Sequence, residues 1–365
     1  MPEEQRGPER TGLSENSFLG DSLLQRQWFA LARSREVVVG KPIARQLLCV
    51  DVVLWRSSEA VHCWRDLCIH RGAKLSLGTA NGECLVCPYH AWEYDTGGRC
   101  VKIPAQPKVA PPPKARAQTF EATERYGLVW VRFADGTSEG AIDLPVFAFA
   151  DDPDFRTMQA GPYRFRALGP RVIENFFDVA HLGIVHAGLL GDPERVRIED
   201  YEVAMTDHGP EASNIRIWQP DPDGTGQPAM VTYRYWASGP LTAGLVKVHA
   251  GKRFGILLQV APVDEEYCES RLVIALDYGD ESAEGDETAE GDETSDAALV
   301  AFQDLVTEQD RVIVESQRPE LLPLDLQAEL HLRSDRMAIA YRRWLRQLGM
   351  RYGTESYGTE SYGSD

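Results

Sequence analysis

Four residues in the first third of the chain are spaced for metal chemistry. Cys68 and His70 form a C-x-H pair, Cys87 and His90 form a C-x-x-H pair, and sixteen residues separate the two pairs. A mixed-ligand [2Fe–2S] cluster needs such a set. Two thiolates hold one iron and two imidazoles the other, and the neutral imidazoles leave the cluster less negative and raise its potential. Each pair has to be offered from a short turn, and Gly72 and Pro88 are residues that such turns use. Zinc also accepts two cysteines and two histidines, but the one-residue gap of Cys68-x-His70 is tighter than the usual zinc spacing of two to four.

A second constellation lies in R-V-I-E-N-F-F-D-V-A-H-L-G-I-V-H, residues 171–186. Two imidazoles, His181 and His186, with one carboxylate make the facial triad of a non-haem Fe(II) centre, which leaves positions open for O2. On a straight helix five residues turn the chain by about 500°, so the two rings would point about 140° apart. The helix is therefore expected to bend or end near Gly183. The carboxylate must come from elsewhere. Asp310 is selected from F-Q-D-L-V-T-E-Q-D-R-V-I-V-E-S-Q, with Glu308 and Glu315 as rivals. Its neighbours Ile313, Val314 and Gln317 would give an apolar iron-facing side with one amide. A redox cluster needs something to reduce, so each constellation supports the other.

The elements that must position these residues read as α+β. The chain has 365 residues, enough for one large domain or two ordinary ones. Hydrophobic residues make up 43% and charged residues 26%, the balance of a soluble globular protein. A formal charge of −18 argues against nucleic acid as a partner. No apolar run reaches the length of a membrane span, and residues 1–15 have no secretory apolar core. Seven cysteines, an odd count, argue against a disulfide framework and for the cytoplasm.

Residues 1–20 are expected to be disordered, and 21–138 to form a small antiparallel β domain gripping the cluster at its tip. Within it, 28–32 reads as a helix turn or buried lead-in, and 36–39, 47–55, 60–64 and 127–133 as strands. Asn81-Gly82 signals a hairpin returning through 83–86. Residues 105–114 are Pro-rich and extended, and a linker is expected at 135–141. In the second domain, 139–350, strands are expected at 165–168, 196–205, 215–218, 230–236, 245–249, 253–260 and 271–278. Helices are expected at 171–185, 296–317 (with Asp296 as N-cap) and 334–348. An antiparallel sheet wrapped around helices accommodates this order. Residues 279–296 carry a tandem A-E-G-D-E-T repeat and read as a solvated acidic loop; 351–365 is a low-complexity tail. Trp218, Tyr233, Trp236, Phe254, Leu258, Val314 and Gln317 are the candidates for a substrate pocket between the sheet and the iron helix.

On these motifs the chain resembles the Rieske non-haem iron oxygenases, in their single-component, monooxygenase-like branch. The pattern C-x-H-x16-C-P-Y-H-x-W-x-Y-D-x-x-G-x-C is matched from Cys68 to Cys100. N-x-x-D-x-x-H-x4-H is matched at Asn175, Asp178, His181 and His186, and D-x-x-x-V-E-S-Q at 310–317. The resemblance spans roughly residues 20–350. H-R-G-A-K-L-S-L-G-T, E-R-Y-G-L and V-E-S-Q look closest to bacterial methylxanthine N-demethylases, and saxitoxin-pathway hydroxylases look related. Respiratory Rieske proteins differ: Ala73 and Tyr89 stand where they carry extra cysteines, and Trp92 where they carry serine. Fewer hydrogen bonds to the sulfurs would favour a lower potential.

The resemblance implies a [2Fe–2S] cluster on Cys68, His70, Cys87 and His90, and mononuclear Fe(II) on His181, His186 and Asp310, in a helix-grip, START-like catalytic domain. It implies that Asp178 is no iron ligand but bridges His90 or His70 of one subunit to His181 of its neighbour in a head-to-tail homotrimer. Electrons would come from a ferredoxin or an NAD(P)H-dependent flavin reductase, with Arg71, Lys74, Arg99 and Lys102 available for docking. The implied reaction takes O2 and a small (hetero)aromatic or polycyclic substrate to a hydroxylated or N-/O-demethylated product. Desaturation, oxidative cyclisation or N-oxygenation is the alternative, and a Rieske electron-transfer protein without oxygenase activity is less favoured.

Overall fold

The computed structural model describes residues 21–133, 142–279 and 295–355, so the expected disordered N-terminus, the linker, the acidic repeat and most of the tail lie outside the described residues. The first half begins with a short helix, α1 (Ser22–Gln25), and ten strands: β1 (Phe29–Arg33), β2 (Ile43–Leu47), β3 (Val50–Arg56), β4 (Val61–Arg65), β5 (Thr79–Ala80), β6 (Cys84–Val86), β7 (Glu93–Asp95), β8 (Cys100–Lys102), β9 (Thr119–Arg125) and β10 (Leu128–Arg132). Six form one sheet in the order β1-β10-β9-β4-β3-β2, and β5-β6-β7-β8 form a second. The Asn81-Gly82 turn joins β5 to β6 as expected: Asn81 Oδ1 accepts from the Glu83 and Cys84 amides at 3.0 and 2.7 Å, and Gly82 sits at φ 89°.

Three expectations here are corrected. Residues 28–32 form no helix turn; the buried lead-in is a strand, since residues 29–32 are buried and lie in β1, paired to β10. Residues 36–39 form no strand: a 3-10 turn over Ser34–Glu36 precedes isolated bridges, and Val38 and Val39 stay exposed. The long strand 47–55 is a hairpin, because Leu48 and Cys49 take left-handed φ values of 51° and 64°. Hairpins of this shape usually need Asn or Gly. Here the turn is held from outside, since the Leu48 and Cys49 amides donate to the carbonyls of Pro262 and Val263, both at 2.9 Å.

The second half contains α2 (Ala148–Asp151), β11 (Arg156–Phe165), α3 (Gly169–Phe177), β12 (Glu202–Thr206), β13 (Gly209–Gln219), β14 (Ala229–Gly239), β15 (Thr242–His249), β16 (Lys252–Pro262), β17 (Cys268–Leu276), α4 (Asp296–Ser316) and α5 (Arg336–Leu348). The seven strands make one antiparallel sheet in the order β11-β17-β16-β15-β14-β13-β12. Alternation sets its two faces. Ile215, Tyr233, Tyr235, Leu245, Ile256 and Leu258 join Val172, Phe177 and Tyr341 of α3 and α5 in the main core, while Leu257, Val273 and Ala275 face Trp130, Phe147 and Phe155. Helices on one face and the N-terminal sheet on the other leave the strand face under the helices as the place for a site.

The 165–168 strand is corrected to β11, which starts at Arg156 and ends at Phe165, and the 196–205 stretch becomes strand only from Glu202 on, in β12. The N-cap of α4 is Ser295, whose Oγ accepts from the Ala298 amide at 3.2 Å; Asp296 is the first helical residue. Residues 351–355 are packed rather than free: the Arg351 and Tyr352 amides donate to buried Asp21, and Thr354–Glu355 pairs with Leu322–Pro323. Buried Arg342 of α5 grips Glu174 of α3 at 2.5 Å, and Arg171 and Arg342 share Glu329, so α3 is clamped where it must deliver its last residues. No described helix is long and apolar enough to cross a membrane.

Candidate metal centres

Two loops of alike construction present the first constellation. The Cys68 amide donates to the Ala73 carbonyl and the Gly72 amide to the Cys68 carbonyl; the Cys87 amide donates to the Trp92 carbonyl and the Ala91 amide to the Cys87 carbonyl. Each loop thus needs a left-handed residue four after its cysteine, Gly72 at φ 73° and Ala91 at φ 54°. Alanine takes that conformation at a cost of about 1–2 kcal/mol, so Ala91 gave no turn signal in the sequence. Cys68 and Cys87 are buried, whereas His70 and His90 reach the surface with their Nδ1 atoms 3.1 Å apart. Trp92 stacks on His70 at 4.3 Å and Tyr89 on His90 at 3.8 Å, fixing both rings.

The donors form two pairs, not one cage. Among the described residues, the one three-donor group gathered tightly enough for a single ion lies elsewhere. One zinc ion would need all four donors together, while a two-iron cluster needs a thiolate pair and an imidazole pair. Burial raises the Cys87 thiol, and neighbouring Cys68 raises it further, so thiolates here need iron to balance their charge. The Tyr94 hydroxyl lies 3.1 Å from Cys68 Sγ, positioned to donate to a cluster sulfur. The ligand spacing does not reveal this hydrogen bond, which offsets part of what the Trp92 position lacks.

The second constellation forms where α3 stops. The helix does not run to Gly183. Asp178 is already extended (φ −75°, ψ 129°), and its Oδ1 accepts from the Ala180 amide at 2.7 Å, an Asx turn that competes with the helix. Both histidines therefore sit on turns beyond the helix, and the divergence expected of a straight helix does not arise. Gly183 serves close packing instead: a Cβ on Gly191 would lie 2.7 Å from Gly183 Cα. Asp310, on α4, reaches both rings. Its Oδ1 is 3.4 Å from His181 Nε2 and 3.1 Å from His186 Nε2. Glu308 instead pairs with Arg311, and Glu315 accepts from the Arg166 amide.

These three residues fit a metal ion. His186 Nε2 and Asp310 Oδ1 are buried and without a hydrogen-bond partner, although they lie 3.1 Å apart; their lone pairs point into shared space. Burial disfavours charge at His181, but Asp178 and Asp310 outweigh it and raise the imidazole to about 9. The same histidines hold the Asp310 carboxyl well below the usual range against its own burial. The pocket is thus built for positive charge, which a divalent cation supplies. Asp178 stands behind His181, Oδ2 to Nδ1 3.6 Å, with its side chain 41% exposed.

Gln309 was not anticipated. Its Oε1 is 2.7 Å from His186 Nδ1, which fixes Nδ1 as the protonated nitrogen and leaves Nε2 free to ligate. Adjacency to Asp310 was the only signal in the sequence. Replacing Gln309 by leucine is expected to weaken Fe(II) binding at this centre by about 10–100-fold while the cluster spectrum stays unchanged. Competition with a calibrated chelator measures it.

The triad opens onto a cavity of about 450 Å³. Of the pocket candidates, Tyr233, Phe254 and Leu258 line it, and the other four do not. Trp236 is three residues from Tyr233, so it points through the opposite face and packs against Phe147 and Phe149. Trp218 likewise faces away, under the Arg195 guanidinium at 4.3 Å. Val314 and Gln317 share a helix side with Asp310 but lie on its C-terminal side, whereas the cavity runs toward the N-terminal end of α4, along Phe302, Gln303, Val306 and Thr307. Val314 is core instead, and Gln317 caps α4. Tyr235, Leu245, Lys247 and Ile256 were missed, although period-two alternation from Tyr233 and Phe254 marks them. Of the cations offered for docking, Lys74, Arg99 and Lys102 are each paired to carboxylates of their own domain, Asp51, Asp95 and Glu93.

Residues 27–114 match the family described as Rieske [2Fe-2S] domain, and residues 165–351 the family described as vanillate O-demethylase oxygenase C-terminal domain. The methylxanthine N1-demethylase NdmA of Pseudomonas putida is 34% identical over 309 residues, 84% of this chain and 82% of that protein. The methylxanthine N3-demethylase NdmB of the same organism is 29% identical, over 85% of this chain and 83% of that protein. The structure of NdmA with caffeine superposes with a TM-score of 0.74 at 30% identity, covering 92% of each chain.

Proposed function

This chain belongs to the Rieske non-haem iron oxygenases, and we propose that it oxidises a methyl or ring carbon of a small, flat heteroaromatic molecule, N-demethylation being the favoured outcome. The observation that carries this is the convergence of His181, His186 and Asp310 on a cavity walled by Phe165, Phe176, Tyr233, Tyr235 and Phe254. Its volume, about 450 Å³, suits a small-molecule site. The enzyme is a monooxygenase with a [2Fe–2S] cluster and a mononuclear iron.

Bound iron supplies O2 activation. The chain's own residues then set the outcome. Aromatic walls hold a flat ring and exclude water, and Gln309 keeps the His186 proton on Nδ1. Cys68, His70, Cys87 and His90 are assigned to the cluster, and His181, His186 and Asp310 to the iron. Asp178 is assigned to the electron path, joining His181 to a cluster histidine of a neighbouring copy. Two facts support this: Asp178 touches His181 yet stays partly exposed, and His70 and His90 stand at the surface beside exposed Ile69 and Tyr89. Head-to-tail contacts of this kind close into a ring, here a trimer. The donor is a reductase or ferredoxin, and the compartment is the cytoplasm, consistent with an odd count of seven cysteines.

A single turnover tests the function. Anaerobically reduced enzyme is mixed with N-methylated and unmethylated heteroaromatics and exposed to O2. Loss of CH2 with trapped formaldehyde supports demethylation; a gain of one oxygen without formaldehyde makes it a hydroxylase, and loss of two hydrogens a desaturase. Absence of O2 uptake from fully iron-loaded enzyme with every compound would sink the oxygenase reading.

A further inference from the structure

At the end of the cavity away from the metal donors stands Lys247. Strand pairing places it. Tyr235, which feels the charge of Asp178 and Asp310, pairs with Leu245; Tyr233, two residues along β14, pairs with Lys247, which pairs in turn with Phe254. Two residues of strand put the Lys247 row about 7 Å beyond the row nearest the triad. Lys247 is enclosed by protein yet keeps accessible surface, because it lines the cavity.

Its hydrogen bonding is incomplete. An ammonium has three N–H donors. One reaches the Pro222 carbonyl at 2.5 Å, and the Phe254 ring lies 5.2 Å from Nζ. No carboxylate among the described residues is within ion-pair distance of it. Asp223 is taken by Lys252 at 2.6 Å and Thr225 at 2.7 Å; Asp221, whose Oδ1 is buried without a partner, forms no ion pair with Lys247, and both acids act on it only through space, favouring its charge. Burial pulls the Lys247 amine down to about 8, so it is still mostly protonated at neutral pH and poorly solvated. A cation in that state gains most from an acceptor that a ligand brings.

We infer that Lys247 selects the substrate class: a flat ring bearing a conjugated oxygen acceptor, carbonyl or carboxylate, at the end remote from the carbon that is oxidised. The inference deepens the oxygenase reading and rests on it. The ring lies against Tyr233 and Phe254, its oxygen takes the free N–H donors of Lys247, and the opposite edge then faces His181, His186 and Asp310. Lys247 thereby fixes which end of the substrate meets the metal.

The test uses the full chain with cluster and iron in place, and three matched probes: 4-methoxybenzoate, 4-methoxybenzamide and 4-methoxytoluene. Binding is measured by calorimetry without O2, so it does not depend on turnover. In the unmutated protein the two acceptor-bearing probes are expected to bind at least about 10-fold more tightly than the tolyl compound. In Lys247→Met, with unchanged cluster absorbance, that preference is expected to vanish while tolyl binding persists. A greater gain for the benzoate identifies an anionic group, and equal gains a neutral carbonyl. Equal affinity for all three probes, no binding by either acceptor-bearing probe, or a preference surviving in Lys247→Met overturns the inference. Failure of the oxygenase reading looks different: O2 uptake is absent whatever stands at position 247.

Discussion

Replacing Asp310 by alanine removes the mononuclear iron and lowers product formation by more than about 10³-fold, while the cluster's visible spectrum is retained. The expectation follows from geometry. Asp310 Oδ1 is the carboxylate oxygen gathered with both His181 and His186. Two imidazoles alone are a weak site for Fe(II), because the carboxylate supplies the negative charge that two neutral rings lack. Cys68, His70, Cys87 and His90 lie on two loops of the N-terminal half and none belongs to this three-donor group, so metal analysis should show loss of the mononuclear iron alone. Asp310→Ala with full iron at this centre would transfer the ligand role to another residue. The pH dependence has a definite sign. His181 is raised to about 9 and so carries a proton at neutral pH in the metal-free protein. Iron must displace that proton, so binding strengthens as pH rises and levels off above about 9.

Asp178→Asn is expected to leave both metal centres loaded and to slow reoxidation of the reduced cluster by about 10²-fold or more. Asparagine keeps an oxygen that can accept from the Ala180 amide, so the turn that ends α3 survives. What it removes is the negative charge 3.6 Å from His181 Nδ1, which orients that ring and favours its protonated form. Stopped-flow absorbance after mixing reduced enzyme with substrate and O2 reads the cluster directly. A purely capping role predicts an unchanged rate in Asp178→Asn and a loss of stability in Asp178→Ala. A relay role predicts the slow rate in both.

The chemistry of both centres was legible because ligands close in sequence are placed by local turns. C-x-H, C-x-x-H and H-x4-H each put two donors on one stretch of turns, and the packing of those turns then decides which donors meet. The β-rich order of the second half was legible for a similar reason, since alternation is a local property of a strand. Errors arose where a distant part of the chain decided. Leu48-Cys49 turns without Asn or Gly because Pro262 and Val263 hold its amides. α3 is a local exception: it ends at Asp178 because that side chain takes the Ala180 amide two residues on, which the helical pattern up to Val185 does not reveal.

The sequence by itself determined the donor types, their local spacing and the class of chemistry they allow. The tertiary structure alone decided that Asp310, 124 residues after His186, would meet it at 3.1 Å, and that the cavity would extend from Asp310 toward the start of α4. It also decided that Tyr233 would face the cavity with Tyr235 and Lys247 while Trp236 turned away. The physical reason is that helix and strand periods assign each residue to a face. Which face is covered, and by what, depends on packing between segments far apart in the chain.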